Sequence, residues 1–355
     1  MENPLAGDLD YILEKTKGLW EEIRGKQVFI TGGTGFFGCW LLESFAWAND
    51  FLGLGAKVLV LTRNLEAFKL KVPHLASHAA IKFHIGDVRD FKFPSGEFSH
   101  IIHAAGQASA ELNEEEPLTM LDVIIEGTRH VLNFALSCGA KKILLTSSGA
   151  VYGMQPPEIT HIPETYNGAP ELIDQKSAYG EGKRLAELLC VIYAKQYGIE
   201  PKIARCFTFV GPYLPLNIHF AVGNFLQDAL KGGPIIIRGD GTPYRSYMYA
   251  ADLAIWLWAI LFIGESCQPY NVGSDIEMTI AQVADIVANS FTPRPAIHIS
   301  QPLDTKKRIE RYVPSVEKAK QRLRLSQKIL LPDAIKKTIS FLHGKEKSKK
   351  DLEKA

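Results

Sequence analysis

A chain of 355 residues, 46% of them hydrophobic, can bury one large core or two smaller ones. Forty basic residues against 39 acidic ones leave a formal charge of +1, which gives no whole-chain attraction to nucleic acid or to an anionic membrane surface. The five cysteines, Cys39, Cys138, Cys190, Cys206 and Cys267, form no CxxC pair, and no HExxH or Cys/His cluster suggests a metal; buried thiols in a reducing cytosol are expected.

Residues 1–25 are polar and lack the apolar segment of a signal peptide, so a soluble cytoplasmic protein is expected. Between Asp8 and Arg24, the apolar residues Leu9, Ile12, Leu13, Leu19, Trp20 and Ile23 recur at roughly helical spacing. This predicts a helical extension, 1–24, laid against the main body. "KQVFIT" (26–31) then reads as a buried strand leading into a glycine-rich turn and a helix. "AKVLVLT" (56–62), "IKFHI" (81–85), "HIIHA" (100–104), "KKILLTS" (141–147) and "PKIARC" (201–206) read as further strands. Helical stretches at 117–138 and 177–197 separate some of them. This alternation predicts an α/β fold: a Rossmann-type, doubly wound parallel sheet with helices on both faces, over 25–206.

After Phe207 the alternation weakens. Helices are expected at 223–233, 281–290 and 331–342, and a strand at 234–241. These predict a smaller C-terminal α/β lobe, 207–245 and 273–343, that holds substrate, with 246–272 returning to the first domain. The run "LAIWLWAILFIG" (253–264) is shorter than the roughly 20 residues a membrane span needs, and reads as a buried helix. "ELNEEEP" (111–117) reads as a solvated acidic loop. The charged end, 344–355, reads as disordered.

"TGGTGFFG", Thr31–Gly38, sits at a strand-to-helix junction. Gly32, Gly35 and Gly38 permit a tight turn and close approach to a pyrophosphate, and the helix opened by Phe36 and Phe37 offers free N–H groups to it. At the end of the second strand, "LTRN" places Arg63 where an NAD-binding chain would carry a carboxylate. A guanidinium there favours NADP over NAD, although a residue stacked on adenine would suit either. Asp87, with Val88 beside it, follows the third strand, where a carboxylate could accept a hydrogen bond from the adenine amino group. Ala104 and Ala105 in "HAAG" leave room for a cofactor.

"SAYGEGK" contains Tyr179 and Lys183, whose i, i+4 spacing puts them on one helix face, about 5–6 Å apart at Cβ. The ammonium is expected to lower the phenol's pKa and fit Tyr179 for acid/base work. A Tyr-x-x-x-Lys pair alone is common on solvated helices; here it accompanies a dinucleotide turn and a strand, "LLTSSGAVYG" (144–153), that ends in hydroxyls. Ligands of open parallel sheets bind beyond such strand ends. Ser148 is assigned to the chemistry and Ser147 to its support.

"TGGTGFFG", "HAAG", "SSGAVYG", "YGEGK" and "RGDGTPYRSYMYAADLA", in that order, resemble the extended short-chain dehydrogenases/reductases of the NAD-dependent epimerase/dehydratase family, which act on nucleotide sugars. The resemblance covers about residues 25–340. It implies a bound nicotinamide cofactor, Tyr179 as acid/base, Lys183 on the nicotinamide ribose and Ser148 beside the sugar. It also implies Arg245, with Arg311, on the substrate's diphosphate, and a homodimer paired through 117–138 and 177–197. Thr208 stands where the family often has a substrate-holding Asn, and Asn224 is a further candidate for the diphosphate.

Family 4,6-dehydratases carry Asp-Glu where this chain has Gly149 and Ala150, and the UDP-glucuronate decarboxylases it also resembles carry Glu at Ala150. Neither residue present can move a proton. The expectation is therefore hydride transfer at a sugar carbon, as a 4-epimerase or a 4-ketoreductase. The alternatives are a dehydratase or decarboxylase with displaced acids, and a cofactor-sensing protein without turnover.

Overall fold

Seven parallel strands form the central sheet: β1 (Gln27–Thr31), β2 (Lys57–Thr62), β3 (Ile81–Ile85), β4 (His100–His103), β5 (Lys142–Ser148), β6 (Glu200–Cys206) and β7 (Pro269–Val272), in the order β7-β6-β5-β4-β1-β2-β3. The computed structural model describes residues 3–354 except 107–109, 218–219, 305 and 307, and of 110–111 and 345–354 the backbone alone. The chain runs outward from β1 through β2 to β3, then crosses back to β4. The strand order thus reverses between β1 and β4, which opens a crevice at their carboxyl ends. The middle strands are buried along nearly their whole length because helices cover both faces.

Three helices frame that crevice: α2 (Phe36–Leu52), α3 (Pro117–Cys138) and α4 (Ala178–Tyr197), each stopped by a glycine in the left-handed region, Gly53, Gly139 and Gly198. The N-terminal helix α1 (Ala6–Lys15) buries Leu9 and Ile12. It is pinned by Asp8, which accepts from Tyr249 Oη at 2.6 Å and Lys337 Nζ at 2.8 Å, and by Tyr11, which donates to Asp252 at 2.8 Å. The apolar run expected to be a buried helix is α5 (Ala250–Ile263), buried on every side up to Phe262, with Trp258 packed on Trp20 at 4.7 Å. No helix among the described residues is long and apolar enough to cross a membrane.

The second lobe is small-stranded. Ile235–Ile237 pairs with Ile297–Ile299. Tyr244–Arg245 pairs antiparallel with Met278–Thr279 and parallel with Arg311–Tyr312, so that Tyr312 lies opposite Arg245. Helices Ala221–Leu230 and Ile280–Ala288 pack against these strands.

Two stretches differ from expectation. The acidic segment at 111–117 is helical over Ala110–Glu115; Ala, Leu and Glu are good helix formers, and Pro117 ends this helix and opens α3. The charged end, expected disordered, continues helix α6 (Leu331–Lys354), whose Lys and Glu residues carry the same propensity.

Candidate active site

The turn after β1 is built for a close ligand. Gly32 has φ +72°, and a Cβ on it would lie 2.3 Å from the Ala104 carbonyl oxygen. A Cβ on Gly38 would lie 2.3 Å from the backbone of Gly33, so helix and turn can approach only without side chains there. Gly35 caps α2 without a side-chain hydrogen bond, which leaves the first N–H groups of the helix free for an anion. These features fit a dinucleotide pyrophosphate. Phe36 and Phe37 are half-buried, and Phe37 packs edge-on against Phe209 at 5.1 Å.

Around the far end of the crevice, Arg63 is exposed just after β2, with its guanidinium 4.0 Å from Asp87. Asp87 also accepts from Arg89 at 2.8 Å; Arg89 and, more weakly, Arg63 hold its carboxyl below the usual range. Val88 is buried against Gly127, so its side chain belongs to the core. Ala104 and Ala105 are half-buried at the end of β4.

At the carboxyl end of β5, Ser148, Tyr179 and Lys183 come together. Ser148 is buried, and its Oγ accepts from the Ala150 N–H at 3.1 Å; the Tyr179 phenol lies beside it. Lys183 Nζ donates to the Thr146 carbonyl at 2.9 Å and lies 5.9 Å from the Tyr179 ring centroid. Ser147 points elsewhere, donating to Glu187 within a largely buried Glu187–Arg205 pair.

Burial acts on both members of the Tyr179–Lys183 pair. Burial pushes the Tyr179 phenol up to about 12 and the Lys183 amine down to about 8. In each case desolvation of the charged form is the largest cause.

Thr208, Arg245 and Arg311 line one cavity of about 820 Å³, beside Arg308, Glu310 and Tyr312. Arg245 pairs with Glu310 at 3.4 Å, while Arg311 pairs with Glu277 and stacks on the Tyr244 ring at 4.1 Å. The Thr208 hydroxyl donates to the Ser246 carbonyl. Asn224 lies in a second cavity of about 480 Å³, which shares Ala221 and Ile280 with the first.

Three residues escaped the sequence reading. Arg308 donates to the Gln155 carbonyl at 2.9 Å and adds a third guanidinium to the cavity. Asn113 accepts from the Tyr179 N–H at 3.0 Å and donates to the Lys176 carbonyl at 2.7 Å, fixing the start of α4. Tyr312 packs its ring on Phe207 at 4.7 Å and sets its hydroxyl beside Gly149. Only the bareness of Gly149 hinted that something must fill the space beside it.

A doubly wound sheet with a glycine cradle and a Ser–Tyr–Lys set at its crevice defines an NAD(P)-dependent enzyme of the short-chain dehydrogenase/reductase class. The chain belongs to the NAD dependent epimerase/dehydratase family, whose family model matches residues 28–273. It is 30% identical over 316 residues to UDP-glucuronic acid decarboxylase 1 of Arabidopsis thaliana, spanning 88% of this chain and 69% of that protein. To UDP-glucuronic acid decarboxylase 1 of Xenopus tropicalis it is 31% identical over 317 residues, 89% of this chain and 72% of that protein. Among solved structures it is similar to a UDP-N-acetylglucosamine 4-epimerase from Methanobrevibacter ruminantium in complex with UDP-N-acetylmuramic acid (TM-score 0.78, 20% identity, 90% of this chain and 99% of that chain). It is also similar to the dTDP-glucose 4,6-dehydratase DesIV from Streptomyces venezuelae with NAD bound (TM-score 0.74, 21% identity, 90% and 97%). At these identities the structural likeness establishes the fold.

Proposed function

We propose that the protein transfers hydride at a sugar carbon of a nucleotide-diphosphate sugar, as a 4-epimerase or 4-ketoreductase, with Tyr179 as acid and base. The observation that carries this reading is at Gly149, where a Cβ would lie 2.6 Å from the Tyr312 hydroxyl and 2.7 Å from the Phe207 ring. That position has neither a carboxyl group nor room for one. Eliminating water from the sugar needs an acid and a base there. Glu310, the carboxylate lining the large cavity, is engaged by Arg245.

A bound nicotinamide supplies the hydride acceptor and donor. During oxidation, Tyr179 as phenolate takes the proton of the sugar hydroxyl while the adjacent C–H bond breaks. During reduction, the phenol returns that proton to the keto oxygen, so charge balances in both directions. Ser148 holds the same oxygen, and Lys183 supplies the positive charge that favours the phenolate. Arg245, Arg308 and Arg311 bind the diphosphate, a role suited to planar guanidinium forks. Arg63 favours the 2′-phosphate of NADP.

A second reading, decarboxylation of a nucleotide-linked uronic acid, is supported by the two relatives named above. Once the sugar carbon is a ketone, a β-carboxyl group can leave as carbon dioxide with the ketone as electron sink, and no side chain is required at Gly149. Mass spectrometry separates the readings. The purified protein is incubated with UDP- and dTDP-linked hexoses, their 4-keto forms and UDP-glucuronate, with NAD(P)(H). Epimerisation leaves the mass unchanged, reduction adds two hydrogens, and loss of carbon dioxide assigns the decarboxylase. Loss of water, or no turnover of any of these, defeats the lead reading.

The protein is further proposed to form a homodimer through α3 and α4, whose outer faces leave Leu136, Leu185, Leu188, Ile192 and Tyr197 exposed. Light scattering on the purified chain tests this, and a monomer that persists at high concentration overturns it.

A further inference from the structure

The end of β4 touches both halves of the crevice. A Cβ on Gly32 would lie 2.7 Å from the Ala105 nitrogen, so the glycine turn rests directly on this backbone. A Cβ on Gly106 would lie 3.2 Å from Lys183 Nζ. Any shift of residues 104–106 therefore moves the floor between the turn and the lysine.

Three buried side chains, Thr31 on β1, His103 on β4 and Thr128 on α3, hold that floor in place. Their hydrogen bonds run in one direction. The Thr128 hydroxyl spends its single proton on the Ile124 carbonyl at 2.6 Å. It can only accept from His103 Nε2, 3.1 Å away, so that nitrogen carries the ring proton. Burial and the nearby Lys183 ammonium keep the ring neutral, which leaves Nδ1 an acceptor. The Thr31 hydroxyl, at 2.8 Å, must then donate to Nδ1, and its oxygen accepts from the Ala105 N–H at 3.2 Å. A second link ties the same strand end to the lysine. The His103 carbonyl accepts from the Thr146 hydroxyl at 3.2 Å, and the Thr146 carbonyl accepts from Lys183 Nζ at 2.9 Å.

We propose that His103 is a positioning residue for the cofactor: held as the Nε2–H tautomer between α3 and β1, it fixes the Thr31 hydroxyl under the Ala105 N–H and so sets the end of β4 between the glycine turn and Lys183. The inference rests on this crevice being the dinucleotide site. An imidazole suits the task because, when neutral, it offers a donor on one edge and an acceptor on the other.

The test combines nitrogen-15 NMR of histidine-labelled protein with fluorescence titration by NADH and NADPH. The His103 signals are identified by their loss in His103→Asn. The wild-type ring is expected to carry its proton on Nε2. Thr31→Val keeps the side-chain shape and removes the hydroxyl. It is expected to move the Nδ1 signal and to weaken both reduced cofactors roughly tenfold, the scale of one unmade hydrogen bond, with Thr31→Ser restoring both. His103→Asn, whose amide oxygen can replace Nδ1 as acceptor, is expected to bind cofactor more tightly than His103→Leu. A wild-type proton on Nδ1 overturns the proposal. So does a Thr31→Val protein that melts earlier yet binds cofactor like wild type, which would reduce the three side chains to core packing. A wild-type protein that binds neither nucleotide would instead defeat the cofactor reading on which the proposal stands.

Discussion

Lys183 Nζ is tied to the Thr146 carbonyl at 2.9 Å, at the end of the strand that also carries Ser148. The amine is buried, and burial lowers it from 10.5 to about 8. A basic group whose pKa is lowered on folding destabilises the fold at every pH below its unfolded value. The cost is full below pH about 8 and disappears as pH rises through 10.5. Lys183→Met is therefore expected to stabilise the cofactor-free protein at neutral pH, on the order of 1–3 kcal/mol, while abolishing turnover. Thermal unfolding with and without cofactor checks this; a Met variant less stable than wild type at pH 7 but not at pH 10 contradicts it.

Tyr179→Phe is expected to reduce turnover by about 100- to 10,000-fold, the usual range for loss of a positioned acid/base. Cofactor binding should persist, because the turn around Gly32 does not touch the phenol. Cofactor content and initial rates are measured on the same preparation.

The parts of the site that could be read from the sequence are local in the chain. The Gly32–Gly38 turn announces itself by the strand before it and the helix after it, and Tyr179 and Lys183 by a single helical spacing. Tyr312 and Arg308 could not be read in this way, because three short strands from distant stretches must pair before they reach the cavity. The raised phenol was equally hidden: spacing gives the distance to an ammonium, but the balance with desolvation depends on everything packed around the pair. The helix at Ala110–Glu115 was missed because acidic residues were read as charge rather than as helix formers.

Arg63 stands exposed 4.0 Å from Asp87, and the proposed NADP preference rests on its guanidinium. Arg63→Ala is expected to weaken NADP(H) about tenfold or more while changing NAD(H) little, since the charge-assisted bond is lost only for the phosphate. Fluorescence titration with both reduced cofactors decides it. Equal losses for the two would mean that Arg63 merely packs on adenine.

His103 lies buried between Thr31 Oγ at 2.8 Å and Thr128 Oγ at 3.1 Å, and burial pushes its imidazole down to about 3. The unfolded chain takes up this proton as pH falls through 6.5, while the folded chain refuses it until about 3. Stability therefore falls with pH across that window. His103→Asn is expected to flatten the dependence of Tm on pH between about 6 and 4, at some cost at neutral pH. An unchanged acid slope in the variant would place the sensitivity elsewhere.

Glu187 joins the sheet to α4 from beneath the reaction centre. It accepts from Arg205 Nη2 at 2.7 Å and from the Ser147 hydroxyl, and Arg205 also donates to Tyr152 Oη at 3.0 Å. Removing one member of such a buried pair leaves a charge without its counterpart. Glu187→Gln is therefore expected to cost about 3–5 kcal/mol in denaturant unfolding. Arg205→Met with Glu187→Leu removes both charges, and should recover part of that loss through packing. Because Ser147 precedes Ser148 on β5, Glu187→Gln should also lower kcat more than it raises KM. If the double variant is no more stable than Glu187→Gln, the pair's contribution lies in shape rather than charge.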